Sequence, residues 1–287
     1  MLNKMLFAVD FSAYQRLVLP CLARLGDTGC GELILLHIAN DERAVRRAPE
    51  LLKDDLRDCF KKIVQTKLDE WTRFCEMQGL SVRAVVAEAD LPWREIRDFA
   101  CREEVSLVVL GPRAASDPAS CAYFLMHAHL EAEALLLLKT TEDSRQECYG
   151  GLCGGLFPRV LIATDWSDCA IRAEEYLVGL RDAGVEEVIV AHVAGPEVSD
   201  AELQDYRSVA ERRLAQSCRP FEKAGVETRS LWLAGDPATA IVKAAKAEEA
   251  TLIVMGSTGK SVSLERLVGS VSERIAFTSV TSVLLVY

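Results

Sequence analysis

GSTGKSVSLERLVGS, residues 256–270, follows the apolar run Thr251-Leu252-Ile253-Val254-Met255 and leads into Ser270-Val271-Ser272-Glu273-Arg274-Ile275-Ala276-Phe277. The order reads as a buried strand, a glycine loop and a helix. Glycines let a backbone approach a ligand closely and adopt dihedrals closed to other residues. The free N–H groups and positive end of the following helix attract an anion. Ser257, Thr258, Ser270 and Ser272 place hydroxyl donors along the same stretch. The P-loop is excluded, because its leading glycine would fall on Val254. The dinucleotide fingerprint is absent too. What remains is Gly256, two residues, Gly259, nine residues, then Gly269-Ser270. The same glycines would also serve a tightly packed strand-to-helix turn.

Working outward, the chain repeats itself once. Lys4 to Ser12 matches Arg159 to Ser167, each an apolar strand ending in Asp-aromatic-Ser. Leu33 to Ile38 matches Val188 to Val193, Gly79 to Asp90 tracks Gly225 to Asp236, and Leu107 to Gly111 tracks Leu252 to Gly256. Between the copies, Thr140 to Pro158 is polar and then glycine-rich, as a linker is. Within each copy strands alternate with helical patterns: helices over 14–25 and 169–183, long helices over 49–77 and 199–223, and third strands over 82–87 and 227–233. Ser199 to Glu202 reads as a capping box. Alternation of this kind predicts an α/β fold whose parallel sheet is covered on both faces. Such sheets bind ligands at the carboxyl ends of the strands, where the winding reverses. That places Ala163-Thr164-Asp165, Val193 and Met255-Gly256 around one crevice. Asp165 suits hydrogen bonds from a base amine or a ribose hydroxyl, and it would equally cap the helix that follows.

Composition narrows the partners. Acidic residues outnumber basic ones by 43 to 33, a net charge of −10. This disfavours nucleic acid and anionic membranes, which need basic patches. The start, MLNKMLFAVDF, is charged too early for a signal peptide, and no apolar run reaches membrane-spanning length. Ten cysteines without CxxC spacing read as reduced thiols, Cys148 and Cys153 being the most exposed pair, and point to a cytoplasmic protein.

The glycine motif, with its strand and its place near the chain end, resembles the ATP-binding branch of the universal stress protein family. The repeat extends that resemblance to a tandem member of the family. It implies two five-stranded, Rossmann-like units of the adenine nucleotide alpha hydrolase type, forming an intramolecular pseudo-dimer through their last strands. The implied domains are a degenerate unit at 1–140, a linker at 141–157 and a nucleotide-binding unit at 158–287. By position, the resemblance sets Ala163, Thr164, Asp165 and Val193 around the base, with Met255 and Gly256 alongside. Gly259, Lys260, Gly269, Ser270, Val271 and Ser272 fall on the phosphate side. Lys260 either reaches a terminal phosphate or is a solvated loop lysine. Ala163 departs from the proline common in the family. His37 and His192 are read as structural.

In the first half only Gly111 survives; Ala114 takes the next glycine position and Phe124-Leu125 falls near the place of Gly-Ser. The expectation is therefore one adenine nucleotide per chain, ATP or else ADP or AMP, with or without Mg²⁺. The resemblance also allows two chains to associate as a homodimer. A regulatory, stress-response role is favoured over an enzyme, because no kinase signature or general base accompanies Lys260. The alternatives are a nucleotide-free interaction scaffold and a slow ATPase.

Overall fold

The computed structural model describes residues 2–23, 29–39, 53–111, 120–139, 157–195, 203–259 and 268–287. The first half runs β1 (Lys4–Val9), α1 (Ala13–Ala23), β2 (Glu32–Ala39), α2 (Lys53–Met77), β3 (Val82–Glu88), α3 (Pro92–Arg102), β4 (Leu107–Leu110), α4 (Cys121–Met126) and β5 (Ala134–Leu137). The second runs β6 (Arg159–Ala163), α5 (Asp168–Gly179), a 3₁₀ turn (Arg181–Ala183), β7 (Glu187–Ala194) and α6 (Leu203–Lys223). It continues through β8 (Glu227–Ala234), α7 (Pro237–Ala247), β9 (Leu252–Gly256), α8 (Ser270–Thr278) and β10 (Ser282–Val286). The capping box at 199–202, Cys148, Cys153 and most of the linker lie outside the described residues. Phe157, at the linker's end, is buried in the core.

The ten strands among the described residues form one sheet in the order β3-β2-β1-β4-β5-β10-β9-β6-β7-β8. Each half is parallel and winds outward in both directions from its first strand. The halves meet antiparallel, with Leu137 opposite Val283 and Leu135 opposite Leu285. Every position of β4, β5, β9 and β10 is buried, as continuous apolar runs in a sheet covered on both faces require.

Alternation along the strands sends side chains into two cores, one on each face, and both cores cross the boundary between halves. One face collects Phe7, Leu35, Val109, Leu136, Ile162, Val254 and Leu284 beneath Trp71 of α2, Leu177 of α5 and Phe221 of α6. The other collects Leu6, Leu110, Leu135, Leu161, Ile253 and Leu285 beneath Phe99 of α3, Leu125 of α4, Ile241 of α7 and Ile275 of α8. Each such side chain contributes about 1.5–3 kcal/mol by its burial.

The halves also repeat their polar fastenings. Arg83 on β3 pairs with Glu32 and Glu103, and Arg229 on β8 pairs with Glu187 and Glu248. Among the described residues, no helix is long and apolar enough to cross a membrane.

Candidate functional site

The crevice forms where β6 and β9, adjacent in the sheet, send their chains to opposite faces. At the end of β6 the chain turns sharply. Thr164 donates its N–H to Ala191 O at 2.9 Å, and its hydroxyl accepts from Trp166 N at 3.1 Å. Asp165 Oδ1 accepts from Ser167 N at 3.0 Å. Trp166 sits in the left-handed region at φ 59°, which costs a non-glycine residue roughly 1–2 kcal/mol. The helix cap is Ser167, whose hydroxyl accepts from Ala170 N at 3.2 Å. Asp165 is therefore not the cap; it pins the turn one step earlier. Phe11, at φ 54°, and Asp10, bonded to Ser12 N at 2.9 Å, repeat the turn in the first half.

The turn carries an aromatic wall. The Trp166 ring stacks on His192 with centroids 3.9 Å apart. His192 Nδ1 lies 2.8 Å from Thr164 O, a carbonyl that can only accept, so Nδ1 carries a proton. Its Nε2 then accepts from the Tyr206 hydroxyl, at 3.0 Å, when the ring is neutral. Below Thr164 lies Glu174, a buried carboxyl. Burial pushes its pKa above the usual glutamate value, and hydrogen bonds from Ser217 and Thr164 offset part of that rise.

The glycine loop packs against this turn. A Cβ on Gly256 would stand 2.8 Å from the Cys169 carbonyl carbon and 3.0 Å from Ala170 N, both fixed backbone atoms. A Cβ on Gly259 would stand 2.7 Å from Asp165 Oδ2. Asp165, expected on the base side, is thus in direct reach of the glycine loop as well. Gly269 N donates to Ser257 O at 2.8 Å and closes the loop onto itself. Gly269 is also the N-cap of α8, and as a glycine it offers that helix no side-chain cap. The first-turn N–H groups of α8 precede its first helical hydrogen bond, from Glu273 N to Gly269 O at 2.9 Å. Such groups are the ones a helix presents to an anion. The Ser272 hydroxyl, expected as a donor to ligand, instead donates to Gly256 O at 2.9 Å and fastens α8 to the strand end.

These elements enclose a cleft of about 290 Å³. Ala163, Thr164, Asp165, Val193, Met255, Gly256, Gly259, Gly269, Ser270, Val271 and Ser272 all line it. Lys260 lies outside the described residues. The reading of the sequence missed Ala170, Tyr206, Pro237 and Ile241, which line the cleft too. His192, read as structural, both lines the cleft and braces the turn.

In the first half the same stations are differently filled. Gly111 is followed after nine positions by Ser120, whose hydroxyl caps α4 by accepting from Tyr123 N. Ser120-Cys121, rather than Phe124-Leu125, therefore stands where the second half has Gly269-Ser270. Phe124 and Leu125 lie inside α4. Ala114 lies outside the described residues.

A family model described as the universal stress protein family matches residues 157–287. A universal stress protein of Methanocaldococcus jannaschii is 34% identical over 130 residues, covering 42% of this chain and 76% of that protein. One from Thermus aquaticus is 32% identical over 136 residues, covering 46% of this chain and 99% of that protein. The crystal structure of a universal stress protein from Archaeoglobus fulgidus aligns with 100% of this chain and 98% of its own. Its TM-score is 0.69 at 24% identity, a likeness of fold across both halves. The chain belongs to the universal stress protein family.

Proposed function

We propose that the cleft binds one adenine nucleotide per chain, ATP or else ADP or AMP, and that the protein acts as a nucleotide-dependent regulator in a stress response. One observation carries the reading. The N-terminus of α8, whose cap residue Gly269 has no side chain, faces a loop in which a Cβ on Gly256 would meet the Cys169 backbone and one on Gly259 the Asp165 carboxylate. Backbone donors on one side suit phosphate, and a carboxylate on the other suits a ribose hydroxyl or base amine. The family resemblance supplies adenine as the base. The residues present fit such a ligand. Ala163, Thr164, Asp165 and Val193 would face base and ribose, with Met255 and Gly256 beside them. Gly259, Gly269, Ser270 and Val271 would face phosphate, and Ser272 would brace them.

Residues 1–140 form, on this reading, a second, degenerate universal stress protein domain. It is joined by the linker 141–157 to the binding domain 158–287 and paired with it through β5 and β10. A cytoplasmic setting and any pairing of whole chains belong to the same proposal. Among the described residues no cluster of three or more metal-ligating side chains occurs. Mg²⁺ would therefore arrive on the phosphates of the nucleotide. The role is read as binding rather than turnover: Asp165 spends one oxygen on its own turn, and His192, which also lines the cleft, is bonded at Nδ1 to Thr164 O and at Nε2 to the Tyr206 hydroxyl.

The test is to denature freshly purified protein and quantify the small molecules it releases. One adenine nucleotide per chain is the expected result. None, with no uptake of added ATP and Mg²⁺, overturns the reading in favour of an interaction scaffold. Sustained multiple turnovers of ATP would overturn the non-enzymatic role.

A further inference from the structure

We infer that the residue three positions after the Asp-aromatic-Ser turn decides whether each half has an open cleft, and that Gln15 closes the first half from within. The inference rests on the proposed nucleotide site. Ser12 corresponds to Ser167 in the repeat, so Gln15 corresponds to Ala170. Ala170 lines the second-half cleft. Gln15 is 1% exposed although its side chain is a polar amide. Its Oε1 accepts from Asp10 N at 2.7 Å, and its Nε2 donates to Ala8 O at 2.9 Å. Asp10 N belongs to the turn and Ala8 O to the end of β1, both at the mouth of the crevice. A Cβ on Gly111 would stand 2.6 Å from Gln15 Nε2, whereas one on Gly256 meets only the backbone and thiol of Cys169 and the N of Ala170.

The amide thus occupies the space between the ends of β1 and β4, and satisfies turn groups that an entering ligand would otherwise meet. Every buried polar atom of the plug is paired, so closure costs little. Because a saturated internal contact must be broken before anything enters, the first half excludes nucleotide at this position independently of its lost glycines. The geometry transfers. The turns match in their left-handed aromatic, φ 54° at Phe11 and 59° at Trp166, and in their Asp-to-Ser bonds of 2.9 and 3.0 Å. The Ala170→Gln side chain can therefore reach Asp165 N and Ala163 O as Gln15 reaches Asp10 N and Ala8 O.

The experiment is titration calorimetry of the full chain with ATP, alongside thermal melting. The expected result is that Ala170→Gln melts cooperatively at or above the wild-type temperature and binds ATP at least about tenfold more weakly. A folded Ala170→Gln protein with wild-type affinity overturns the inference while leaving the nucleotide site intact. A wild type that takes up no nucleotide overturns the proposed function, and this inference with it.

Should Ala170→Gln fail to fold, Gln15→Ala decides. It empties the first-half crevice without touching the second-half site. Adenosine, which needs no phosphate loop, is the probe. A rise from one to two adenosines per chain supports the plug, and an unchanged stoichiometry overturns it.

Discussion

Gln15 and Ser120 in the first half each satisfy backbone groups whose second-half counterparts meet the cleft. Gln15 closes the turn after β1, and Ser120 caps α4. At the matching places the second half has Ala170 and Gly269, a short side chain and none at all. The strands, the left-handed aromatic turn and the histidine bonded back to it are common to both halves: His37 Nδ1 meets Val9 O at 2.8 Å as His192 Nδ1 meets Thr164 O. On the proposed reading, a binding site is lost from this architecture without disturbing the fold. It is enough that the protein answers its own hydrogen bonds.

The comparison can be broken most severely at Gly256. Adding a methyl group there drives it into the Cys169 backbone. Gly256→Ala should lose about 1–3 kcal/mol of stability, as overpacking of fixed atoms does, together with nucleotide binding. Denaturant unfolding and calorimetry measure the two losses. A stable variant would mean that α5 can shift away from β9.

Gly269→Ser makes α8 resemble α4. A self-capped helix gains a few tenths of a kcal/mol over a glycine cap but sets its hydroxyl against the incoming anion. The expected outcome is unchanged or slightly raised stability with ATP affinity lowered about tenfold, an effect on the order of 1.4 kcal/mol. Equal affinity would separate the N-terminus of α8 from the phosphate.

A third contrast lies beneath the turn, where Glu174 stands in place of Leu19 and both are buried. Glu174 holds its proton more tightly in the folded chain than in the unfolded one. Wild-type stability should therefore fall as pH rises from the ordinary glutamate range through the raised value, and level off above it. Glu174→Leu should remove that decline and stabilise the protein at neutral pH by about 1 kcal/mol. Melting temperatures across pH 4–8 test this; an undiminished slope in the variant would assign the pH dependence elsewhere.

The smallest effect concerns Asp236, which caps α7 at Thr239 N and pairs with Arg274 of α8. The cap of α3, Leu91, makes no such bond. Hydrogen bonds from Thr239, then Arg274, hold the Asp236 pKa down to about 2. Its stabilising contribution is present above the ordinary aspartate value and is lost as pH falls toward 2. Asp236→Asn should therefore lose a little stability at neutral pH and converge with the wild type as pH falls from 4 to 2, which flattens the acid limb of the stability curve; melting temperatures across pH 2–7 check this.

Much of this was legible in the sequence because it rests on backbone demands. Long helices expected over 49–77 and 199–223 are observed at Lys53–Met77 and Leu203–Lys223, and third strands over 82–87 and 227–233 at Val82–Glu88 and Glu227–Ala234. Gly256 announced itself because a Cβ there would run into the fixed backbone of Cys169 and Ala170. Other features carried no such signal. Gln15 looks like any polar residue on a helix, and its role appears only when the turn folds back over it. Tyr206 lies fourteen positions from the histidine it bonds, a separation from which spacing alone predicts no contact. Phe124-Leu125 stood near the place of Gly-Ser by counting from Gly111, but fewer residues separate Gly111 from Ser120 than Gly256 from Gly269, and no glycine remained to mark the start of α4. Ser272 illustrates a further limit: a hydroxyl at a helix start can serve the strand below it as readily as a ligand above.

The placement of β10 has a consequence for how the molecule is made. Although Ser282–Val286 comes last among the described strands, it lies at the centre of the sheet between β5 and β9. During synthesis both neighbours wait, each with an apolar edge bare, until these five residues leave the ribosome. Open edges of that kind recruit any strand at hand. The antiparallel seam that sets Leu137 opposite Val283 and Leu135 opposite Leu285 cannot form before then, so the two halves are joined by the strand that emerges after the other nine described ones.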